Sequence, residues 1–406
     1  MREIVIVSYT FPPMGGVGGR RWSKLANALT ELGVKVHVFC AAPNSSEHSP
    51  WQIYDSVIVH RFPRKYPQIL NRVPKSLFEK LQYRFWLWAL KFFTKGNYYD
   101  RGIFWRNYIA GVYNFMQHHS MGNLVVTGGP FSLLYQAAAM KSKYPEIHLI
   151  SDIRDEWGAD AFYGFGLLGN KRRQEEMRRL EFTLQHSDTI VVPYPYMKRK
   201  YTQIAGENAA AISILPHGVD DVFYKGSRNP KPGAKICLVN FGSIHSGQEK
   251  PMQDLAQVLS RANIQISFYT TETKYSNVFE AVKAIPENVS YHPPVAEAQV
   301  VSILQKSHAA LLFIPPHFKD SITTKFMEIV ATRTPIVAVG TEGEASEFII
   351  KNRLGLFIPY SKITSGFMSL HADLDNLDYN GDFDTEPFHF RNQAKQVLQL
   401  FENSTN

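Results

Sequence analysis

Short apolar runs alternate with longer amphipathic ones along almost the whole chain. In the first half the apolar runs are Ile4–Ser8, Val34–Cys40, Asn123–Gly129, Ile147–Asp152, Thr189–Pro193 and Ala211–Pro216. Between them, apolar positions recur at helical spacing over 19–32, 131–144, 171–186 and 195–204. A polar stretch rich in Pro and Gly, KGSRNPKPGA at 225–234, interrupts the pattern and reads as a linker. A second series follows at Lys235–Ser243, Ile264–Thr270, Val289–Pro293, Ala309–Pro315, Pro335–Gly340 and Leu354–Pro359. Helices are predicted with it over 251–262, 274–284, 297–306, 322–332 and 342–350. A poorly patterned acidic stretch occupies 372–386, and an amphipathic helix, FRNQAKQVLQLFEN, follows it.

Strand–helix alternation of this kind predicts parallel sheets covered on both faces. Two such series predict an α/β chain of two doubly wound, Rossmann-like domains. The first spans 1–224 and the second 225–385, with 386–406 a helix that packs back on the first. Ligands of such sheets bind beyond the carboxyl ends of the strands. Two domains facing each other across a cleft would therefore be suited to joining two substrates.

Composition narrows the class. The chain of 406 residues is long enough for two cores. Cys40 and Cys237 lie far apart in apolar runs, which reads as reduced thiols, neither a disulfide framework nor a zinc site. The opening MREIVIVS reads as a strand and lacks the features of a signal peptide. The densest apolar run, FWLWALKFF at 85–93, is shorter than the ~20 residues that a membrane span needs. A cytoplasmic protein is expected. The net charge of +8 is local, because residues 61–110 hold eleven Lys and Arg against two acids. Fourteen of those fifty residues are aromatic.

Residues 11–22 read FPPMGGVGGRRW, with Gly15, Gly16, Gly18 and Gly19 between the first strand and the first helix. The dinucleotide fingerprint G-x-G-x-x-G does not fit, because Gly16 and Gly18 lead to Arg21. The second strand also ends in Cys40-Ala41-Ala42, with no acid for a ribose, and no G-x-x-x-x-G-K-[ST] loop is present. General physics remains: glycines let backbone N–H groups approach an anion or a sugar, and a helix N-terminus favours negative charge. The alternative is a simple turn that opens the helix.

Several stretches together resemble the GT-B glycosyltransferases, in particular the family 4 group of retaining, nucleotide-sugar-dependent enzymes. PPMGGVGG is similar to that family's N-domain glycine loop. TGGPFS (127–132) and SDIRDEW (151–157) resemble adjacent signatures of the branch acting on cell-surface polysaccharides. ILPHGVD (214–220) resembles the N-G-V-D segment, with His217 in place of Asn. FGSIHSGQEKP (241–251) and KFMEIVATRTPIVA (325–338) resemble the opening and the most recognisable helix–strand unit of the second domain. The family's E-x7-E pair appears as Asp320 and Glu328, and Ser243 stands where the family has Arg.

The resemblance implies transfer of a hexose or N-acetylhexosamine from a nucleotide-diphosphate sugar to a glycan or lipid-linked acceptor. It places this in bacterial surface polysaccharide synthesis. The leaving diphosphate gains negative charge, which fixed cations and dipoles can stabilise. Lys250 and Lys325 are the candidates for the diphosphate, Glu328 for the ribose hydroxyls and Asp320 for the donor sugar. Each has a plainer alternative, a surface lysine or glutamate, or for Asp320 a helix cap. On the acceptor side the candidates are Gly15, Gly16, Gly18, Gly19, Gly128, Gly129, Asp152 and Asp155, with Asp155 nearest the acceptor hydroxyl. Asp152 and Asp155 have an alternative in pairing with Arg154 or capping the next helix. The catalytic pair expected is Asp155 and Lys325. Retention by front-face attack requires no protein nucleophile. No metal and no cofactor are expected, since the D-x-D matches, Asp373–Asp375 and Asp382–Asp384, fall in the acidic stretch read as a solvated loop.

Residues 75–95 predict an amphipathic helix with Lys80, Arg84, Lys91 and Lys95 along one side. Phe85, Trp86, Leu87, Leu90 and Phe93 fill much of the rest. Contact with an anionic membrane on the inner face of the cell is expected, against the alternative of a core-packed helix with a solvated basic face. No nucleic acid is expected as a partner. The rival functions are a nucleotide-sugar epimerase of the same architecture and a non-catalytic sugar-binding protein.

Overall fold

The computed structural model describes residues 2–402 except Gly16 and residues 45–48, 50, 72, 95–99, 160–163, 209, 231–234, 243–248, 260 and 271–287. Gly16, Lys95, Ser243, His245, the helix expected over 274–284 and part of the expected linker lie outside the described residues.

The chain forms two compact units, Met1–Pro216 with Phe390–Asn406, and His217–His389. The first is built on seven parallel strands: β1 (Glu3–Val7), β2 (Lys35–Ala41), β3 (Val57–Phe62), β4 (Asn123–Thr127), β5 (His148–Asp152), β6 (Thr189–Val192) and β7 (Ala211–Ile214). Their order is β3-β2-β1-β4-β5-β6-β7. Its helices are α1 (Val17–Glu31), α2 (Leu77–Phe93), α3 (Arg106–His118), α4 (Ser132–Lys141), α5 (Asn170–His186) and α6 (Pro195–Ala205). The inner strands are buried along nearly their whole length, which is why they read as unbroken apolar runs.

The second unit repeats the plan with β8 (Ile236–Phe241), β9 (Ile264–Tyr269), β10 (Val289–His292), β11 (Ala309–Ile314), β12 (Ile336–Gly340) and β13 (Gly355–Pro359). The order is β10-β9-β8-β11-β12-β13, again all parallel. Its described helices are α7 (Glu249–Leu259), α8 (Glu297–Lys306), α9 (Thr324–Ala331), α10 (Glu344–Lys351) and α11 (Ile363–Asp375). In each sheet the order reverses at the first strand, between β1 and β4 and between β8 and β11. These are the switch points where doubly wound sheets hold ligands.

The last helix, α12 (Phe390–Glu402), returns to the first unit and lies on α1. Ala394, Val397 and Phe401 join Trp22, Leu25 and Leu29 over Ile4 and Ile6 of β1. Gln393 and Gln396 donate to the carbonyls of Pro216 and Ile214 at 3.0 and 2.8 Å. The units part at Pro216–His217 and again at His389–Phe390, upstream of 224 and downstream of 386. The reason is local. The 3-10 turn Asp221–Tyr224 packs on α8 and α9, and Val219 N donates to Phe388 O at 2.9 Å, so both crossing segments belong to the second unit.

Two details differ from the patterning. β3 is an additional edge strand, and α11 covers residues read as featureless or as acidic loop. Asp373 and Asp375 therefore sit on a helix, where Asp375 pairs with His371 at 3.0 Å.

Candidate functional site

In the second unit β8 ends at Phe241, and Gly242 follows with φ of +99°. Its N–H still donates to Tyr269 O at 2.9 Å, so the turn is tied to β9. The reason for glycine is the space above it. A Cβ built there would lie 2.0 Å from Lys325 Nζ and 2.6 Å from its Cε. The Lys325 side chain therefore occupies the gap that the missing Cβ leaves, at the switch-point strand.

Lys325 projects from the first turn of α9. That helix starts at Thr323, whose hydroxyl accepts from Phe326 N at 3.3 Å. Burial pulls the Lys325 ammonium down to about 8, with Glu328 opposing the shift. Glu328 stands one turn later on the same face. Lys325, Glu328 and Gly242 thus form one group, with the positive end of the α9 dipole beside it.

The other two donor-side candidates each have a partner of their own. Asp320 is engaged by the next helix: its Oδ1 accepts from Glu344 N, the first residue of α10, at 3.1 Å. Gly343 makes this possible, since a Cβ there would fall 2.7 Å from Lys319 O and 2.8 Å from Asp320 Oδ1. Lys250 is exposed in the first turn of α7 and pairs at 3.9 Å with Asp254.

In the first unit the centre of the arrangement is Asp152, at the end of β5 and with no exposed surface. Its Oδ2 accepts from Trp22 Nε1 at 2.6 Å and from Thr127 Oγ1 at 3.0 Å. Its Oδ1 accepts from Arg21 at 3.3 Å. The same guanidinium donates to Leu215 O and Pro216 O at 2.9 and 2.7 Å. Asp152 O accepts from Gly128 N at 2.8 Å. A carboxylate so enclosed positions β4, β5 and α1 against one another and does not itself face a ligand. Its partner is Arg21, not Arg154.

Arg154 is the link between the other candidates. Its guanidinium donates to the carbonyls of Gly18 and, at 3.4 Å, Gly129, and it pairs with Asp155 at 3.3 Å. A Cβ on Gly18 would lie 2.7 Å from that guanidinium, so a side chain there would have to push Arg154 aside. Gly18 and Gly19 stand in the first turn of α1 rather than in the loop before it, while Gly15 is exposed ahead of it. Gly129 has φ of +81°. Trp157 then fixes the loop after β5: its ring stacks on Phe131 at 5.1 Å and its backbone N–H donates to the Tyr201 hydroxyl at 2.8 Å. Gly18, Gly129 and Asp155 are thereby gathered around one buried arginine.

Arg154, Arg21 and Trp22 were not singled out as the organisers of this cluster. The signal was available, since all three lie inside the two motifs that drew attention, GGRRW and SDIRDEW. Among the described residues no group of three or more His, Cys, Asp or Glu is placed to hold a metal ion.

No family model matches the chain, and no curated protein matches it significantly in sequence. In structure it is similar to sucrose-phosphate synthase from Thermosynechococcus elongatus, at TM-score 0.65 and 12% identity, with 99% of each chain covered. It is similar to a glycosyltransferase from Rickettsia africae, at 0.65 and 11%, with 100% of this chain and 99% of that one covered. A third likeness is to the UDP-forming α,α-trehalose-phosphate synthase from Burkholderia xenovorans, in complex with glucose-6-phosphate, at 0.62, 12% and full coverage of both chains. Two parallel, doubly wound sheets of this order give the chain the fold of the GT-B glycosyltransferases.

Proposed function

We propose that the chain is a retaining glycosyltransferase of the family 4 kind, taking a hexose or N-acetylhexosamine from a nucleotide-diphosphate sugar. The observation that carries this reading is Lys325, held over Gly242 at the switch point of the second unit. A cation there, beside the amide end of α9, is placed to neutralise the charge that grows on a departing diphosphate. Glu328, one turn on, accepts hydrogen bonds from the ribose hydroxyls. The first unit presents the acceptor, with Asp155 near its hydroxyl and Arg154 fixing Asp155 against Gly18 of α1 and the loop of Gly129. The departing phosphate takes the acceptor's proton, so the step needs no protein nucleophile and no metal. A glycan or lipid-linked acceptor of bacterial surface polysaccharide synthesis fits this reading.

The test is a thermal-shift panel of UDP- and GDP-sugars, because a ligand that binds the folded state raises its melting temperature. One donor family is expected to stabilise the chain, and Lys325→Met and Glu328→Ala to lose that shift. A stabilising donor whose effect survives both substitutions would place the nucleotide elsewhere and end the proposal.

A further inference from the structure

α2 presents to solvent the side chains that a helix ordinarily hides. Eight of the fourteen large apolar side chains exposed among the described residues belong to this one element. Leu77 is 81% exposed and Trp88 65%, whereas only Ala89 and Leu90 of the helix are buried. At about 100° per residue, Leu77, Phe78, Leu81, Phe85, Trp88 and Phe92 fall in one sector of about 100°. The exposed face is thus a continuous apolar stripe, and it differs from the expected set, in which Leu87 and Leu90 turn inward. Arg84, Lys91 and Lys80 line the edge of the stripe on the side toward Leu90, and all three are exposed.

The helix is formed firmly. Ser76 Oγ accepts from Glu79 N at 3.1 Å and Glu79 Oε2 accepts from Ser76 N at 3.3 Å, a complete capping box. Its 17 residues are too few and too charged for a span, and no described helix is long and apolar enough to cross a membrane.

We propose that α2 docks the chain on an anionic lipid surface, lying in the plane of the headgroups. The stripe enters the acyl boundary while Lys80, Arg84 and Lys91 stay at headgroup level, where their long stems let the charges reach lipid phosphates. Charge complementarity selects this occupant, because the segment 61–110 carries eleven cations against two acids. A second copy of the chain is disfavoured by the same feature, since a self-complementary face would set two basic edges side by side. The inference goes beyond the transferase reading and does not rest on it.

Co-sedimentation of the full chain with phosphatidylcholine vesicles, with and without phosphatidylglycerol, tests it. Binding is expected only with the anionic lipid, weakening as salt rises. Combined Lys80→Glu, Arg84→Glu and Lys91→Glu changes should lower the partition about tenfold or more. Combined Leu81→Ser, Trp88→Ser and Phe92→Ser changes should abolish it even at low salt. Both variants should melt with the parent, since every altered side chain is exposed. The proposal fails if the parent does not bind, if it binds both vesicles alike, or if either variant sediments as the parent does. It also fails if sedimentation equilibrium shows a dimer that the serine variant dissolves and the vesicles do not compete for.

Discussion

At the carboxyl end of the first sheet Asp152 is enclosed by three side-chain donors, and Arg154 by carbonyls and a carboxylate. At the same end of the second sheet Lys325 sits half-buried over a glycine, its ammonium pulled down to about 8 by burial. The first six strands of each unit follow the same order. What differs is whether the charge is matched within the fold. The matched pair of the first unit holds loops in place. The incompletely compensated cation of the second is a cost to the folded chain, of the kind that a bound anion relieves. A charge left costly by burial is the kind of group that marks a candidate site.

The largest expected effect is on the matched side. Asp152→Ala leaves Arg21 buried without its counter-charge, and should destabilise the first unit by about 3–5 kcal/mol in denaturant unfolding. An unchanged midpoint would remove the positioning role. On the other side, Lys325→Met should lower the rate of sugar transfer by about 10²-fold while leaving the free chain as stable at neutral pH, or more so. A variant that loses stability and keeps activity would reverse the contrast.

The pH dependence sharpens it further. Between about 8 and 10.5 the unfolded state holds the Lys325 proton that the folded state has released. Stability of the parent relative to Lys325→Met should therefore rise with pH across that window. Donor affinity should run the other way, falling as pH passes above about 8. Parallel denaturation and binding series for the two proteins check both slopes, and equal slopes would refute the shift. The smallest effect is that of Gly242→Ala, which should cost about 1 kcal/mol for the backbone conformation alone. It should also push Lys325 aside and weaken donor binding, by less than Lys325→Met, as titration calorimetry would read.

The alternation of apolar runs was enough to place twelve of the strands, because the central ones, buried along nearly their whole length, are apolar nearly throughout. β3 escaped because His60 and Arg61 interrupt VIVHRF, of which only Val57 is buried, so the run lacks the apolar signal. α11 escaped because Gly366 breaks its pattern, and that glycine serves a contact no local reading shows, with Ile358 where a Cβ would be 2.8 Å away. In the same way Lys325 and Glu328 were legible from one helix turn, whereas the part played by Arg154 depends on Gly18, 136 residues earlier in the chain. Local periodicity carries secondary structure and same-face pairs. It does not carry which distant carbonyl a buried guanidinium will find.

The return of α12 to α1 bears on how the protein is made. The strands of the first unit emerge from the ribosome before the second unit, but Ala394, Val397 and Phe401 join its core only after residues 217–389 have been made. Until then the apolar side of α1 must wait uncovered while the second unit is already free to fold. The unit begun first is thus completed after the second, and a nascent chain stalled before residue 390 would display that bare side to chaperones.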